Sequence, residues 1–540
     1  MEAAGADRGA GVVAVDSAVD PFNCVNHVTG STILKPLNRG FAPGIRPVGS
    51  VPTALMGVIT ATAWLMADGG SHAGASSGFF QYDTLGRLIV TPTNSIPASL
   101  LPPPALGIGS QVPMPARGMA TAPEVHRRIE SADRGTVAFE WFSPHPPPLM
   151  PYLAGNDRFG NTALRPGPLI DFTPVDVLVQ QIKYDLSQFG LNYSFVQTLT
   201  VVQLSNTKEG GSTLGAYTLD FSGKWIVYSA NGGAAAGWFS TQIESLEGIG
   251  EPSQSESPRT NLGTFTNPTD VWSSHHGFRI PELAWQQSLW SGKVVMIAGV
   301  VSQGNYLDAN SYANSARGQF QNSALVNSMV LPLPSYNPSV NLQWQPVHEW
   351  YALAGLTAGN TPAGQAPWSN FTWDTWSAVG EVGYVPKDVF GLGPGVYRIQ
   401  PFIASNGGPT QGGLAFNLQQ QLGHRVPVGW FGRFGAGGST VANATAQIGT
   451  GFVVQGPLKQ LGITDLLPND GLGLGFVWSR PAPTSGGGPT RAETVLEAGY
   501  VMQLTPTTRI QPDVQFVWNP SYHADADNAV VLQLQFELNW

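Results

Sequence analysis

The sequence predicts an all-β fold: a transmembrane antiparallel β-barrel of about sixteen strands, with an N-terminal amphipathic helix and a Pro-rich N-terminal extension. Three observations carry this. From residue 193 onward, apolar and polar side chains alternate with period two. The last segment shows it best: Val530, Leu532, Leu534, Phe536, Leu538 and Trp540 alternate with Val531, Gln533, Gln535, Glu537 and Asn539. The polar members are mostly amides and hydroxyls, and only 11% of the 540 residues are charged, against about 25% in an ordinary soluble domain. Tight turns such as Ser291-Gly292 also alternate with long insertions at 245–280 and 302–339, as in a barrel with short turns at one end and long loops at the other.

A water-soluble sandwich does not fit these faces. Its apolar faces would pack on each other and its polar faces, usually rich in Lys and Glu, would meet water. Here Gln, Asn, Ser, Thr and Gly fill the polar face. A closed barrel in lipid accounts for that. Every backbone group is paired around the ring, the apolar band meets acyl chains, and the uncharged polar face lines a wet lumen. Trp and Tyr at strand ends then sit at the two interfaces.

Composition excludes other classes. Hydrophobic residues are 42% of the chain and mean hydropathy is −0.03, yet no bundle of long apolar runs exists, so a polytopic helical membrane protein is excluded. A net charge of −9 and a pI near 5.5 argue against nucleic-acid binding, which needs a basic stripe. Cys24 is the sole cysteine, which excludes a disulfide framework and a Cys-rich metal site.

The elements follow in order. Lys35, Arg39 and Arg46 precede an uncharged apolar core at 51–67, and Ala73-Gly74-Ala75 comes shortly after. Basic flank, short apolar core and small-residue site are the parts of a secretory signal peptide. Residues 1–75 therefore read as a leader cleaved after Ala75, and the inset position of the core puts the true start downstream of Met1. The competing reading is a buried helix or an uncleaved anchor. Residues 76–170, with Pro102-Pro103-Pro104 and Pro146-Pro147-Pro148, read as an extended linker. The barrel unit is 171–540. Its first element, 174–190, is a helix with Thr173 as N-cap, Pro174 at the first position and Gly190 at the far end. Leu178, Ile182 and Phe189 share one face of it. Strands are expected near 193–205, 214–222, 224–230, 235–244, 282–290, 293–301, 340–346, 349–357, 376–384, 396–404, 412–421, 428–435, 446–455, 471–479, 491–504, 509–518 and 529–540. The count is about sixteen or seventeen, according to whether 214–230 is one strand or a hairpin about Ser222-Gly223. Most approach the ~9–11 residues that cross a bilayer at a tilt.

Four stretches resemble a known family. One runs from Gly292-Lys293 through Leu307-Asp308-Ala309-Asn310-Ser311-Tyr312-Ala313-Asn314 to Gln319-Phe320-Gln321-Asn322-Ser323-Ala324-Leu325. The second is Asn341-Leu342-Gln343-Trp344-Gln345-Pro346 with Tyr351-Ala352-Leu353-Ala354-Gly355. The third is Gly413-Leu414-Ala415-Phe416-Asn417-Leu418-Gln419-Gln420-Gln421-Leu422. The fourth joins Glu493-Thr494-Val495-Leu496-Glu497-Ala498-Gly499-Tyr500 to Ile510-Gln511-Pro512-Asp513-Val514-Gln515-Phe516-Val517-Trp518-Asn519-Pro520. Together they resemble the carbohydrate-selective porins of the OprB family, over about 175–540. The resemblance implies a sixteen-stranded outer-membrane barrel that passes small sugars by diffusion, with a helical element at its N-terminal end. The Pro-rich region before residue 170 departs from the family pattern.

Followed inward, the alternation points Asp220, Glu381, Arg398, Arg433, Glu497, Arg509, Asp513 and Glu537 at the lumen, with Phe402 and Phe431 beside Arg398 and Arg433. Both signs occur, so no strongly ion-selective ring is expected. Such groups suit a neutral, hydroxyl-dense solute. Candidate sugar contacts are therefore Arg398, Arg433, Glu381, Arg509, Asp513, Glu497, Asp220, Phe402 and Phe431. Against each arginine stands a structural role, pairing with a carboxylate on a neighbouring strand.

Catalysis finds no support. There is no nucleophile elbow or P-loop, and His275, His276, His348 and His523 lack ligand spacing. No cofactor or metal is expected. The C-terminal segment ending in Phe536, Leu538 and Trp540 looks like the signal read by the bacterial barrel-assembly machinery. Expected partners are small sugars, outer-membrane lipid and that machinery, but no nucleic acid, and a homo-oligomer is left open. The expected place is the outer membrane of a Gram-negative-type bacterium. Two other readings stay open: a general or plugged structural or adhesive barrel without sugar selectivity, and a barrel-borne hydrolase.

Overall fold

A computed structural model describes residues 169–540, with breaks at 171–172, 188, 231–234, 250–256, 270, 272–276, 291–292, 348, 360, 362–364, 367, 370, 423–427, 465–469 and 484–490. Upstream it describes a two-residue ladder, Gln81–Tyr82 against Leu88–Ile89. The leader core, Ala75, the rest of the Pro-rich region, and His275, His276 and His348 lie outside the described residues.

The strands are β1 (Leu191–Leu204), β2 (Thr213–Ala230), β3 (Ala235–Ile249), β4 (Phe278–Leu289), β5 (Val294–Val301), β6 (Asn337–Val347), β7 (Trp350–Ala358) and β8 (Thr375–Tyr384). They continue as β9 (Gly395–Asn406), β10 (Gln411–Leu422), β11 (Val428–Gly437), β12 (Ala444–Gln455), β13 (Gly471–Pro481), β14 (Glu493–Gln503), β15 (Thr508–Trp518) and β16 (Asn528–Asn539). These sixteen strands form one closed barrel in sequence order. Each is antiparallel to its neighbours, and the ring shuts where Val531–Asn539 pairs with Leu204–Val196. Ser222 and Gly223 pair with Ser194 and Tyr193 on one side and with Gln242 and Thr241 on the other. No turn forms there, so 213–230 is a single strand and the count is sixteen.

Closure gives each strand an inner and an outer face. On β16, Leu532 and Leu534 are 50% and 52% exposed, whereas Gln533 and Gln535 are buried at 5% and 2%. On β6, Val340, Leu342 and Trp344 point out while Asn341, Gln343 and Gln345 point in and are buried. This is the reverse of a soluble core, and only an apolar surrounding makes the outer band favourable.

The connections are also two-sided. The connections 231–234, 290–293, 423–427 and 504–507 lie at one end, with 456–470 the longest there, and the connections 250–277, 302–336 and 359–374 lie at the other, beside the short 407–410. Near the short-turn end the outer face carries aromatic clusters. Phe239 lies 6.3 Å from Trp225 and 4.9 Å from Trp285, and Tyr384 lies 4.8 Å from Trp350. Phe516 and Trp518 pair at the long-loop end. Two aromatic levels bracketing an aliphatic band match the girdles of a bilayer-spanning barrel.

Helix α1 (Pro174–Ser187) precedes β1 at the short-turn end. Thr173 Oγ1 accepts from the Asp176 N–H at 3.2 Å, and Asp176 Oδ2 accepts from the Thr173 N–H at 2.7 Å. This reciprocal cap satisfies two donors that a helix start leaves open. Asp176 Oδ1 also accepts from Thr507 N and Thr505 Oγ1, both at 3.1 Å, which fixes the helix to the 504–507 turn. The helix stops at Ser187, short of Gly190, whose positive φ (75°) turns the chain into β1. At the other terminus, Trp540 N donates to Phe195 O at 2.8 Å and Phe195 N donates to Trp540 O at 3.1 Å. The last residue thus belongs to the ladder that closes the ring.

Leu534→Arg places a charge at the middle of the outer face. It is expected to destabilise the barrel by about 2–4 kcal/mol in vesicles, read as a lower urea midpoint. An Asn at the same position should cost less.

Candidate functional site: the lumen and its inserted loop

The connection between β5 and β6, residues 302–336, does not stay at the rim. Gln303 Nε2 donates to Asn341 Oδ1 on β6 (2.8 Å) and to Thr357 Oγ1 on β7 (2.7 Å). Asn310 Nδ2 donates to Asn417 Oδ1 on β10 (2.7 Å), and Gly318 N to Gln511 Oε1 on β15 (3.1 Å). Gln447 on β12 donates to Ala324 O at 2.7 Å. The loop therefore crosses the barrel interior and is bonded to strands around much of the ring. The reason is chemical. An inner wall of amides and carboxylates needs partners wherever water is excluded, and a loop of Asn, Gln, Ser and exposed main chain supplies them.

Three groups of wall residues do most of the holding. Arg433, 1% exposed, donates from Nε to both Asp308 carboxylate oxygens (3.2 and 3.1 Å) and from Nη1 to the carbonyls of Ala313 (2.6 Å) and Leu325 (2.7 Å). Its planar fork satisfies four acceptors at three places in the loop, Asp308, Ala313 and Leu325, which an ammonium could not do. Glu381 accepts from Asp308 N (3.1 Å), Tyr351 OH (2.7 Å) and Gln400 Nε2 (2.7 Å), while Arg398 Nε donates to the same Tyr351 oxygen (2.8 Å). On β14 two carboxylates four residues apart each grip main chain. Glu497 accepts from Gln321 N (2.5 Å) and Asn322 N (2.9 Å). Glu493 accepts from Phe265 N (2.7 Å), Thr266 N (3.0 Å) and Ser521 N (3.0 Å).

Glu493 thus brings in a second loop, from the β3–β4 connection, which contains α2 (Pro258–Leu262). Inside the barrel the two loops meet. Ser323 N donates to Asn267 O and Asn267 N donates to Ser323 Oγ, both at 2.9 Å. Ser323 starts the short α3 (Ser323–Val326), which Asn322 caps. This serine is fixed by the fold and has no histidine among these partners.

Glycines on the inner wall make room for rings. A Cβ on Gly383 would lie 2.2 Å from the Tyr351 ring, and one on Gly413 would lie 2.4 Å from Phe402. Gly451 stands in the same way beneath Phe431, which also packs 5.2 Å from Phe320 of the loop. The rings lie flat across neighbouring strands and floor the loop.

The loop leaves a partly uncovered polar edge, Asn305, Ser311, Asn314, Ser315 and Arg317. Opposite part of this edge stands the β2–β4 wall. Arg317, 22% exposed, reaches Asp220 at 3.3 Å, and Asp220 also accepts from Gln242 at 2.7 Å. Asn305 donates to Gln242 and Glu282, both at 3.3 Å. Toward the long-loop end Arg279 pairs with Glu244 at 2.8 Å, and Tyr336 OH donates to Glu244 at 2.9 Å. Burial, then the Glu244 charge, pushes the Tyr336 phenol well above its ordinary value, so it remains a donor. Toward the short turns Lys224 Nζ lies 4.2 Å over the Trp238 ring. Charges of both signs thus descend one side of the lumen.

All nine sequence candidates turn inward, but they divide in two. Arg398, Arg433, Glu381, Glu497, Phe402 and Phe431 are covered by the loop or by neighbouring wall residues, so the surface that alternation assigned to solute meets protein. Asp513 accepts from Gln515 at 3.2 Å. Asp220 reaches the uncovered edge, and Arg509 pairs with Glu537 (2.5 Å) and donates to Arg317 O (3.2 Å). Sequence reasoning missed Asp308, Arg317, Tyr351, Glu244, Arg279, Glu282 and the main-chain role of Glu493. The only signal for Asp308 was its place in the Asn/Ser-rich stretch 307–314. Among the described residues no three His, Cys, Asp or Glu are grouped to hold a metal ion.

A family model described as "Carbohydrate-selective porin, OprB family" matches residues 228–412 and 401–540. Pseudomonas putida OprB in its high-pH structure superposes with a TM-score of 0.54 at 15% identity, covering 66% of this chain and 96% of that one, which supports the fold. Its low-pH structure gives 0.44 at 13% identity, covering 69% and 99%. An uncharacterized protein of Aquifex aeolicus (strain VF5) is 36% identical over 63 residues, 12% of this chain and only 20% of that protein's length.

Removing a clamp has a defined cost. Glu497→Ala leaves two buried N–H groups without acceptors, about 1–3 kcal/mol each, and is expected to speed tryptic cleavage after Arg317 while the barrel itself resists. Arg433→Met should cost about 3–5 kcal/mol by stranding Asp308. Pairing it with Asp308→Leu should recover part of that loss in the same unfolding assay.

Proposed function

Since the chain belongs to the carbohydrate-selective porin, OprB family, we propose that it gives small sugars a passive, selective path across the outer membrane of a Gram-negative-type bacterium. The path runs between the partly uncovered edge of the 302–336 loop and the β2–β4 wall. The observation that carries this reading is the Arg317–Asp220 pair at 3.3 Å, flanked by Asn305, Gln242, Glu244 and Arg279. Opposite charges at close range leave little net field, so a neutral solute is not disfavoured against an ion. A sugar hydroxyl can donate to a carboxylate and accept from a guanidinium, replacing these bonds one at a time. Many weak contacts of this kind allow exit as well as entry.

In this reading Asp220 with Arg317 touches the solute, and Arg509, paired with Glu537, holds the Arg317 main chain from β15. Arg398, Arg433, Glu381, Glu497, Phe402 and Phe431 hold the constriction in shape. Asp513 helps to order the amides of β15 and β16. The long loops face outward and the short turns, with α1, face the periplasm. Residues 1–75 serve as a leader cleaved after Ala75, and 76–170 form the N-terminal extension. Phe536, Leu538 and Trp540 present the edge that the barrel-assembly machinery reads, because an unpaired amphipathic strand can add to another sheet before the ring shuts.

In liposomes the full chain is expected to admit small sugars at rates that fall with solute size. Absence of swelling for every sugar would favour the plugged structural barrel. Arg317→Ala is expected to raise ion conductance in planar bilayers and to weaken block by sugar about tenfold. Unchanged block would remove Arg317 from the path.

A further inference from the structure

We propose that the outer face of β6–β9 holds the acyl chain of one membrane lipid in a built groove. The groove has a volume of about 550 Å³. Leu342, Leu356 and Ile403 form its walls, and Ala354, Ala378 and Gly380 its floor. The walls are exposed on the outward face at 42–52%, so the hollow opens away from the lumen. It rests on the reading above in one respect, that this band meets hydrocarbon.

The hollow comes from the sequence. Between Leu342 on β6, Leu356 on β7 and Ile403 on β9, the outer face carries only Ala354 on β7 and Ala378 and Gly380 on β8. Nothing in the backbone demands glycine at 380. Its φ is not positive, and an added Cβ would meet only ordinary contacts, Pro401 Cγ at 3.6 Å and Pro401 O at 3.8 Å. The space is therefore open to a guest. The groove lies in the half of each strand nearer the long loops, with Trp376 on the loop side and Trp350, Tyr384 and Tyr397 on the other. That is hydrocarbon depth, between the two aromatic levels.

Its lining determines the guest. The groove is continuous with the apolar outer band, and its polar surface is small, so nothing there would orient a water or a headgroup. The adjoining segments 357–361, 371–377 and 404–411 contain no Lys or Arg, so no phosphate is gripped at the rim. A flexible hydrocarbon tail gains close packing there without displacing hydrogen bonds, the term that drives association inside a bilayer. The site thus recognises a lipid by its tail and is indifferent to its headgroup.

The test uses the full chain, reconstituted in phosphatidylethanolamine or in phosphatidylglycerol vesicles and extracted in mild detergent. Native mass spectrometry then counts retained lipid. The native protein is expected to keep lipid from either vesicle. The Ala354→Leu/Gly380→Leu variant should keep about tenfold less, with sugar flux unchanged. Ala378→Val provides a second variant should the double one fail to fold, with a smaller loss expected. No lipid on the native protein, equal retention in the filled variants, or dependence on headgroup would overturn the proposal. So would a native oligomer that the filled variants dissociate, since a second copy would then occupy the groove. Loss of sugar flux in native and variant alike, with lipid counts intact, would strike the porin reading and spare this one.

Discussion

An inward-facing polar wall must find partners, and most of the interior follows from that demand. Closing the sheet solves the backbone problem, because every strand has two neighbours and no edge is left to lipid. It also traps a ring of amide, hydroxyl and charged side chains inside. The inserted loops answer them. Arg433 and Asp308 illustrate the balance: neither could stand buried alone, and together with two loop carbonyls they form a closed set of donors and acceptors. The loop is thus held mainly by polar satisfaction, with the Phe320–Phe431 contact as an apolar supplement.

Polar satisfaction also takes a different form on the two sides of the lumen. Against β8–β16 the loop buries wall residues almost completely. Against β2–β4 it is held through side chains, those of Arg317, Asn305, Tyr306 and Tyr336. The proposed solute path and the structural scaffold use different arcs of one ring.

Much of this fold was legible in the sequence. Period-two alternation is a local property, so Leu534 outward and Gln535 inward could be read directly, and Thr173 with Pro174 marked the helix start. The site was less legible. Alternation says which way a side chain points and nothing about what else occupies the space, so Arg398 and Arg433 could not be told from Asp220. The fold of 302–336 depends on contacts with strand residues such as Glu497 and Gln535, 176 and 219 positions from their partners in the loop, and no local pattern encodes these. The 214–230 ambiguity had a similar origin. Ser222-Gly223 is a plausible turn taken alone, and only the partners on β1 and β3 keep it extended.

Glu493 and Glu497 hold their loops by peptide N–H groups, which every residue except proline possesses. The fastening is therefore blind to side-chain identity at 265 and 321, whereas the Thr266 hydroxyl adds its own bond to Glu493 at 2.7 Å and the Asn322 side chain caps α3. The neighbouring tip around Arg317 can then drift over generations without unfastening the loop. A barrel built in this way can acquire a new solute preference by changing a handful of tip residues, its frame untouched, and an engineer could follow the same route.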